Sequence, residues 1–196
     1  MPGVQIADVG CALIAAFSIL ASVFYREKHG KGNYIDVSAF HSALSLIGIH
    51  IAQRSISNKK TILSGSKPCY NIYKTKDKKY VSLGAIERKF WVLFCDSINR
   101  KDLIPRQFDE TAIEDLKKIF KNKNSEEWSK LSDKYDFCCE PVKRLDDVIN
   151  DKGLNENKII ITVGGLKQVA FPVKFSSIRK INYTMAPKLR QHTKKF

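Results

Sequence analysis

Acidic residues are scarce in this chain of 196 residues. Asp and Glu number 20 against 34 Lys and Arg, which leaves a formal charge of +14. A surplus of positive charge attracts phosphates, in nucleic acid, at a membrane surface or on a phosphorylated ligand. Arginine is the rarer of the two bases, however, and the lysines are scattered in pairs: Lys59-Lys60, Lys78-Lys79, Lys117-Lys118, Lys194-Lys195. Base readout and phosphate clamping favour the bidentate arginine fork. No zinc-finger spacing and no basic motif interleaved with aromatics is present. The composition therefore predicts a lysine-rich solvated surface and no nucleic-acid partner.

Other frameworks are missing too. There is no CxxC pair. The five cysteines, Cys11, Cys69, Cys95, Cys138 and Cys139, are odd in number and two are adjacent. That disfavours a disulfide scaffold or a zinc site and predicts no metal. Reduced thiols fit the cytoplasm, or a mitochondrial or peroxisomal matrix in a eukaryote. There is no P-loop, no GxSxG and no legible Ser/His/Asp set. The histidines do not converge: His29 falls in a helix cap, His192 in a basic tail, and His41 and His50 stand nine apart. Internal repeats are absent. Charge is absent from residues 9–25, VGCALIAAFSILASVFY. That run is marginal for a membrane span of about 20 apolar residues. The preceding MPGVQIAD lacks the basic start of a secretory signal. Its Ala, Ser and Gly suit close helix packing, so a buried helix without membrane insertion is expected, covered by something else on most sides.

What is present is the composition of a folded protein, 43% hydrophobic and 28% charged. Residues 5–29 read as one long helix stopped by Gly30, with Arg26, Lys28 and His29 at its negative end. NYIDV at 33–37 reads as a strand. Ser38 can cap a second helix towards Gln53, with Phe40, Leu44, Ile47 and Ile51 on one face. A polar loop spans 56–68. A hairpin follows, 69–75 and 80–83, turning at Lys76-Asp77-Lys78-Lys79. Helices are expected over 87–99, 110–121 and 125–135, the last with cap and acidic first-turn signals in Ser125-Glu126-Glu127. A helical turn at 145–150 and strands at 159–163 and 169–175 complete the chain. The expected organisation is α/β: residues 1–57 as a helix–strand–helix segment, a linker or active-site loop at 58–68, and a small α+β domain with a return segment over 69–196.

Two carboxylates stand out. Asp8 opens an apolar helix, where the helix dipole and free N–H groups favour its anion. Such a group can abstract a proton or attack a carbonyl. Glu87 follows the apolar VSLGAI and precedes Phe90-Trp91. On spacing alone, the favoured reading of both is an ordinary helix-start acid.

The first forty-odd residues, from PGVQIADVG to IDVSAFHS, closely resemble the central segment of family III CoA-transferases and alpha-methylacyl-CoA racemases. They share its aspartate, its glycine-bearing apolar helix and its Arg/Gly cap (Arg26, Gly30, Gly32). The resemblance continues through LSGSKPCYNIYKTKDKKYVSLGAIERKFW at 63–91, DFCCEPV at 136–142 and APKLRQHT at 186–193. It implies an incomplete family III CoA-transferase fold, with the N-terminal part that carries most CoA contacts missing. By position, Asp8 matches the catalytic aspartate, and Glu87 the glutamate that supports the racemase histidine. Ser64, Gly65 and Ser66 fall where transferases carry a glycine-rich active-site loop. The activity implied is α-proton abstraction and reprotonation of a 2-methylacyl-CoA thioester. The alternatives are CoA transfer between carboxylic acids through an aspartyl intermediate, or a non-catalytic chain that needs a partner. No cofactor beyond the CoA thioester substrate is implied. A homodimer, or a complementing N-terminal half, is the implied partner.

Overall fold

The computed structural model describes residues 3–58, 61–178 and 181–191; Lys59, Lys60, His192 and Thr193 lie outside them. Helix α1 runs Ile6–His29 and ends as its sequence predicts, with Gly30 in the left-handed conformation at φ 66° and its N–H bonded to the Arg26 carbonyl. The following segment does not form the expected strand. Residues 31–38 run extended back along α1, where Asn33 Nδ2 donates to Ser22 Oγ at 3.1 Å and Cys11 Sγ sits 3.7 Å from the Val37 carbonyl. A strand needs a ladder, and no described neighbour offers one, so Tyr34 stands 97% exposed.

The second helix also departs from expectation. Ser38 caps it, its Oγ accepting from the His41 N–H at 3.3 Å. The helix then breaks into α2, Ala39–Ser45, and α3, Gly48–Ile56. Ser42 and Ser45 hydroxyls bond back to the Ser38 and Ser42 carbonyls, and Leu46 and Ile47 N–H groups reach only three residues back. Serine side chains that compete for helical carbonyls, followed by Gly48, explain the break.

Helix α1 was expected to be buried, and it is not. Among its residues Gly10 alone is buried, against α2 at Ser42 and Leu46. Leu13, Phe17, Leu20 and Phe24 are 64–77% exposed. The physical reason is simple: one short helix and one extended segment cannot cover a helix that is apolar all round. By length and composition α1 could also cross a membrane.

The core lies elsewhere. Strands β1 (Tyr70–Lys74), β2 (Tyr80–Gly84) and β3 (Cys139–Pro141) form an antiparallel sheet in that order. Alternation sends Tyr73, Val81, Leu83 and Cys139 to one face. Helices α4 (Arg88–Ser97), α5 (Ala112–Phe120) and α6 (Ser125–Tyr135) cover that face, together with a 3₁₀ turn at Lys101–Arg106. Phe120 is the hub, its ring stacked 4.5 Å from Tyr73 and tilted 4.6 Å from Trp128, with Phe94 at 5.7 Å. Both indole N–H groups are satisfied, Trp91 by the Leu103 and Ile104 carbonyls and Trp128 by that of Phe120.

Short helices α7 (Leu145–Ile149) and α8 (Lys152–Glu156) lead to a separate hairpin, β4 (Ile160–Val163) and β5 (Leu166–Val169). The last strand therefore starts earlier than the expected 169–175. Gly164 and Gly165 both have positive φ (57° and 84°), so the chain reverses within two residues and pairs at once.

Candidate active site

Above the sheet face that turns away from the core lies a cavity of about 610 Å³. One wall is the turn after the 3₁₀ element Ile62–Ser64, contributing Leu63, Ser64 and Gly65. Gly65 sits at φ 70°, a conformation that favours glycine. Asn71 on β1 locks the turn: its Nδ2 donates to the Gly65 carbonyl at 2.7 Å, and its Oδ1 accepts from the Ile72 N–H at 2.8 Å. Ser64 Oγ donates to the Thr61 carbonyl at 2.6 Å and lies 3.0 Å from Ser66 Oγ. The sheet supplies the floor, with Tyr70 and Ile72 paired to Gly84 and Ser82, and Cys138 closes one edge.

Glu87 stands just beyond β2, as the N-cap residue of α4 with extended backbone, and its side chain is exposed. Gln107, 3% exposed, holds the approach: its Nε2 donates to the Ala85 carbonyl at 3.1 Å and to that of Ile86 at 2.7 Å. Arg88 is tied down beside it, donating to the Ile104 carbonyl at 2.5 Å. Desolvation first, then the Asp136 and Glu87 charges, push the Cys138 thiol above its ordinary pKa. Ser64, Gly65 and Cys138 thus line one cavity, whose walls include neither Glu87 nor Ser66.

A smaller cavity of about 210 Å³ lies behind the same turn, between α3 and the residue before Glu87. Its walls include His50, Gln53, Leu63 and Ile86, and His50 Nδ1 sits 2.9 Å from Thr61 Oγ1. The turn is thus held from two sides.

Asp8 is placed differently. It is exposed in the first turn of α1, where no side chain caps the helix, and it forms no ion pair with a described residue. It is absent from the walls of both cavities. Asn71, Gln107, His50 and Cys138 went unnoticed as site-building residues in the sequence, because each acts through a contact with a distant stretch of chain. Among the described residues no group of three His, Cys, Asp or Glu side chains is arranged to hold a metal ion.

The helix–sheet architecture matches solved folds. The crystal structure of Rv3272 from M. tuberculosis superimposes with a TM-score of 0.76 at 19% identity, over 97% of this chain and 55% of that one. The sequence profile of CoA-transferase family III matches residues 1–193, and the chain belongs to that family. Human alpha-methylacyl-CoA racemase is 28% identical over 163 residues, 78% of this chain and 43% of its own length. The (R)-2-hydroxy-4-methylpentanoate CoA-transferase of Clostridioides difficile is 29% identical over 95% of this chain and 51% of its own length. The chain spans about half the length of the curated relatives it matches.

Proposed function

We propose that this chain supplies the carboxylates Asp8 and Glu87 to an acyl-CoA enzyme that moves the α-proton of a 2-methylacyl-CoA thioester. The observation that carries the reading is the family match along 1–193, with Asp8 in the uncapped first turn of α1. A thioester acidifies its α-hydrogen, yet the proton stays far less acidic than a carboxylic acid. Removing it needs a positioned base, an acid for the opposite face and donors for the enolate oxygen. Asp8 is the base in this reading, and the amides of the α1 N-terminus face the developing anion. Glu87 orients the second proton-transfer group, a histidine supplied from outside the chain. No cofactor beyond the CoA thioester is needed, and a reducing cytoplasm or organelle matrix suits the free thiols.

The exposed face of α1 fits an assembly in which further polypeptide, covalently continuous or not, packs against residues 3–57. A homodimer of the completed protein is part of the same reading. The transferase alternative rests on the comparable similarity to the C. difficile enzyme. In that alternative Asp8 attacks the thioester carbonyl instead.

Solvent exchange separates the two. With the complementing half restored, a 2-methylacyl-CoA in D₂O acquires α-deuterium without any acyl acceptor if Asp8 is a base. Release of CoA to an added carboxylate, with no α-exchange, overturns the racemase reading in favour of the transferase.

A further inference from the structure

Ala85, Ile86 and Glu87 connect β2 to α4 and belong to neither element. The Ala85 N–H is held by the Cys69 carbonyl at 2.8 Å, and the Glu87 carbonyl receives the Phe90 and Trp91 N–H groups at 3.1 and 3.2 Å. Between those anchors the backbone is secured from a distant stretch of chain. The two carbonyls that precede Glu87, those of Ala85 and Ile86, are taken by the amide of Gln107 at 3.1 and 2.7 Å. A carbonyl oxygen can only accept, so it is the donor end of that amide that is committed to this link. Its acceptor end, Oε1, faces Nη1 of Arg88, the residue after Glu87, at 3.4 Å. One side chain thus grips the chain on both sides of Glu87 and leaves the Glu87 side chain itself exposed.

The support behind Gln107 is part of the core. Gln107 follows the 3₁₀ turn Lys101–Arg106, whose Leu103 is fully buried. The carbonyls of Leu103 and Ile104 accept from the Trp91 indole N–H at 3.1 and 3.2 Å, and that of Ile104 also accepts from Arg88. Side chains locked by packing and by further hydrogen bonds hold a functional group more sharply than a free loop does. We propose that Gln107 is the positioning residue of Glu87: it touches no substrate and fixes the backbone from which the Glu87 carboxylate reaches. The assignment rests on the role given to Glu87 above and adds the group that keeps it in place.

Gln107→Met keeps the length of the side chain and removes its donors. The first measurement needs only the chain of 196 residues. Heteronuclear NOE values of the Ile86 and Glu87 backbone amides match those of α4 in the parent and fall in Gln107→Met, while those of β1 and α6 hold. The second uses the completed enzyme. There kcat for α-exchange falls roughly tenfold with KM unchanged, the low end of the range for a group that orients another. In the Glu87→Gln background the same substitution costs less than about twofold, because no carboxylate is left to misplace. Ser132→Ala is the control for lost stability. It removes a buried bond from the Cys139 N–H at 2.8 Å, within the same core and away from residues 85–88, and leaves kcat at the parent value.

Unchanged order at residues 86–87 in Gln107→Met overturns the proposal, and so does an equal loss of kcat in the Glu87→Gln background. A rise in KM at constant kcat overturns it as well, by placing Gln107 against the substrate. Gln107→Asn, which keeps the amide and draws it back by one methylene, carries the same outcomes where the Met variant does not fold. Absence of α-exchange in the completed parent removes the racemase reading alone. The NOE values of the chain itself then still decide whether Gln107 holds the Glu87 backbone.

Discussion

Asp77 sits in the turn of the β1–β2 hairpin, and its carboxylate clamps that turn to α6. It accepts from Thr75 Oγ1 at 2.5 Å, from Ser125 Oγ at 2.9 Å and from the Ser125 N–H at 3.2 Å. Desolvation alone would raise its pKa; the bonds from Thr75 and Ser125 outweigh it, so the group lies below the ordinary carboxylate range. A folded-state pKa below the unfolded one adds stability at pH values above the unfolded pKa. That contribution is lost as pH falls through the folded pKa. Asp77→Asn therefore costs about 1 kcal/mol at pH 7, a modest figure because the residue is exposed. Urea titrations at pH 7 and again at strongly acidic pH check this, and the gap between variant and parent closes at the acidic end. At the same scale, the proposed catalytic pair separates by magnitude in the completed enzyme. Asp8→Asn should lower turnover by roughly 10²–10⁴-fold with folding intact, as expected for loss of a positioned acid/base group. Glu87→Gln should cost on the order of 10–100-fold if Glu87 only orients the histidine. Equal losses in steady-state turnover would put Glu87 in contact with substrate.

Individual elements differ sharply in how far they can stand alone. The sheet β1–β2–β3 with α4, α5 and α6 encloses a complete core, in which Trp91, Phe94, Leu116 and Phe120 are fully buried. Helix α6 is closed by a capping box between Asn124 and Glu127, one residue earlier than Ser125 would place it; Ser125 is instead engaged by Asp77. Helix α1 has no comparable support. Local stability follows buried contacts, so the two regions should exchange amide protons at very different rates. Native-state hydrogen exchange is expected to show slow amides in β1, β2 and α4–α6 and fast ones through α1. Comparable protection in α1 would mean that some other surface covers it. At the centre of the core, Phe120→Ala removes the ring that Tyr73 and Trp128 pack against. It should cost about 3–5 kcal/mol in denaturant unfolding, the range for burying a cavity of that size.

The chain as a whole spans about half the length of the curated relatives it matches. Among the described residues most of the apolar face of α1 is left exposed, while Phe171, Val173 and Phe175 near the C-terminal end are about half exposed. Two outcomes follow for the chain of 196 residues by itself. It should bind a solvatochromic apolar dye strongly, and on the proposed reading, in which a histidine from outside the chain is required, it should turn over no acyl-CoA. Addition of the complementing half should quench the dye signal and bring activity together, in one titration. Dye binding that persists while activity appears would show that α1 serves another purpose.

Hairpins and helices with their own local signals were legible in the sequence. The β1–β2 hairpin follows from alternation around a polar turn, α1 from its composition and Gly30, and α6 from an acidic first turn. These depend on residues a few positions apart, and the forces that form them act over the same distance. NYIDV has the composition of a strand and is not one, because a ladder requires a partner that composition cannot supply. Ser42 and Ser45 broke a helix that periodicity had drawn as continuous. The cavity was equally out of reach: Asn71 holding Gly65, Gln107 holding Ala85 and Ile86, and His50 meeting Thr61 join stretches 6 to 22 residues apart. Asp8 and Glu87 could be named from the family resemblance, but their surroundings could not. Which surfaces meet is settled by the packing of whole elements, and burial, unlike helix or turn formation, is a property of the assembled chain.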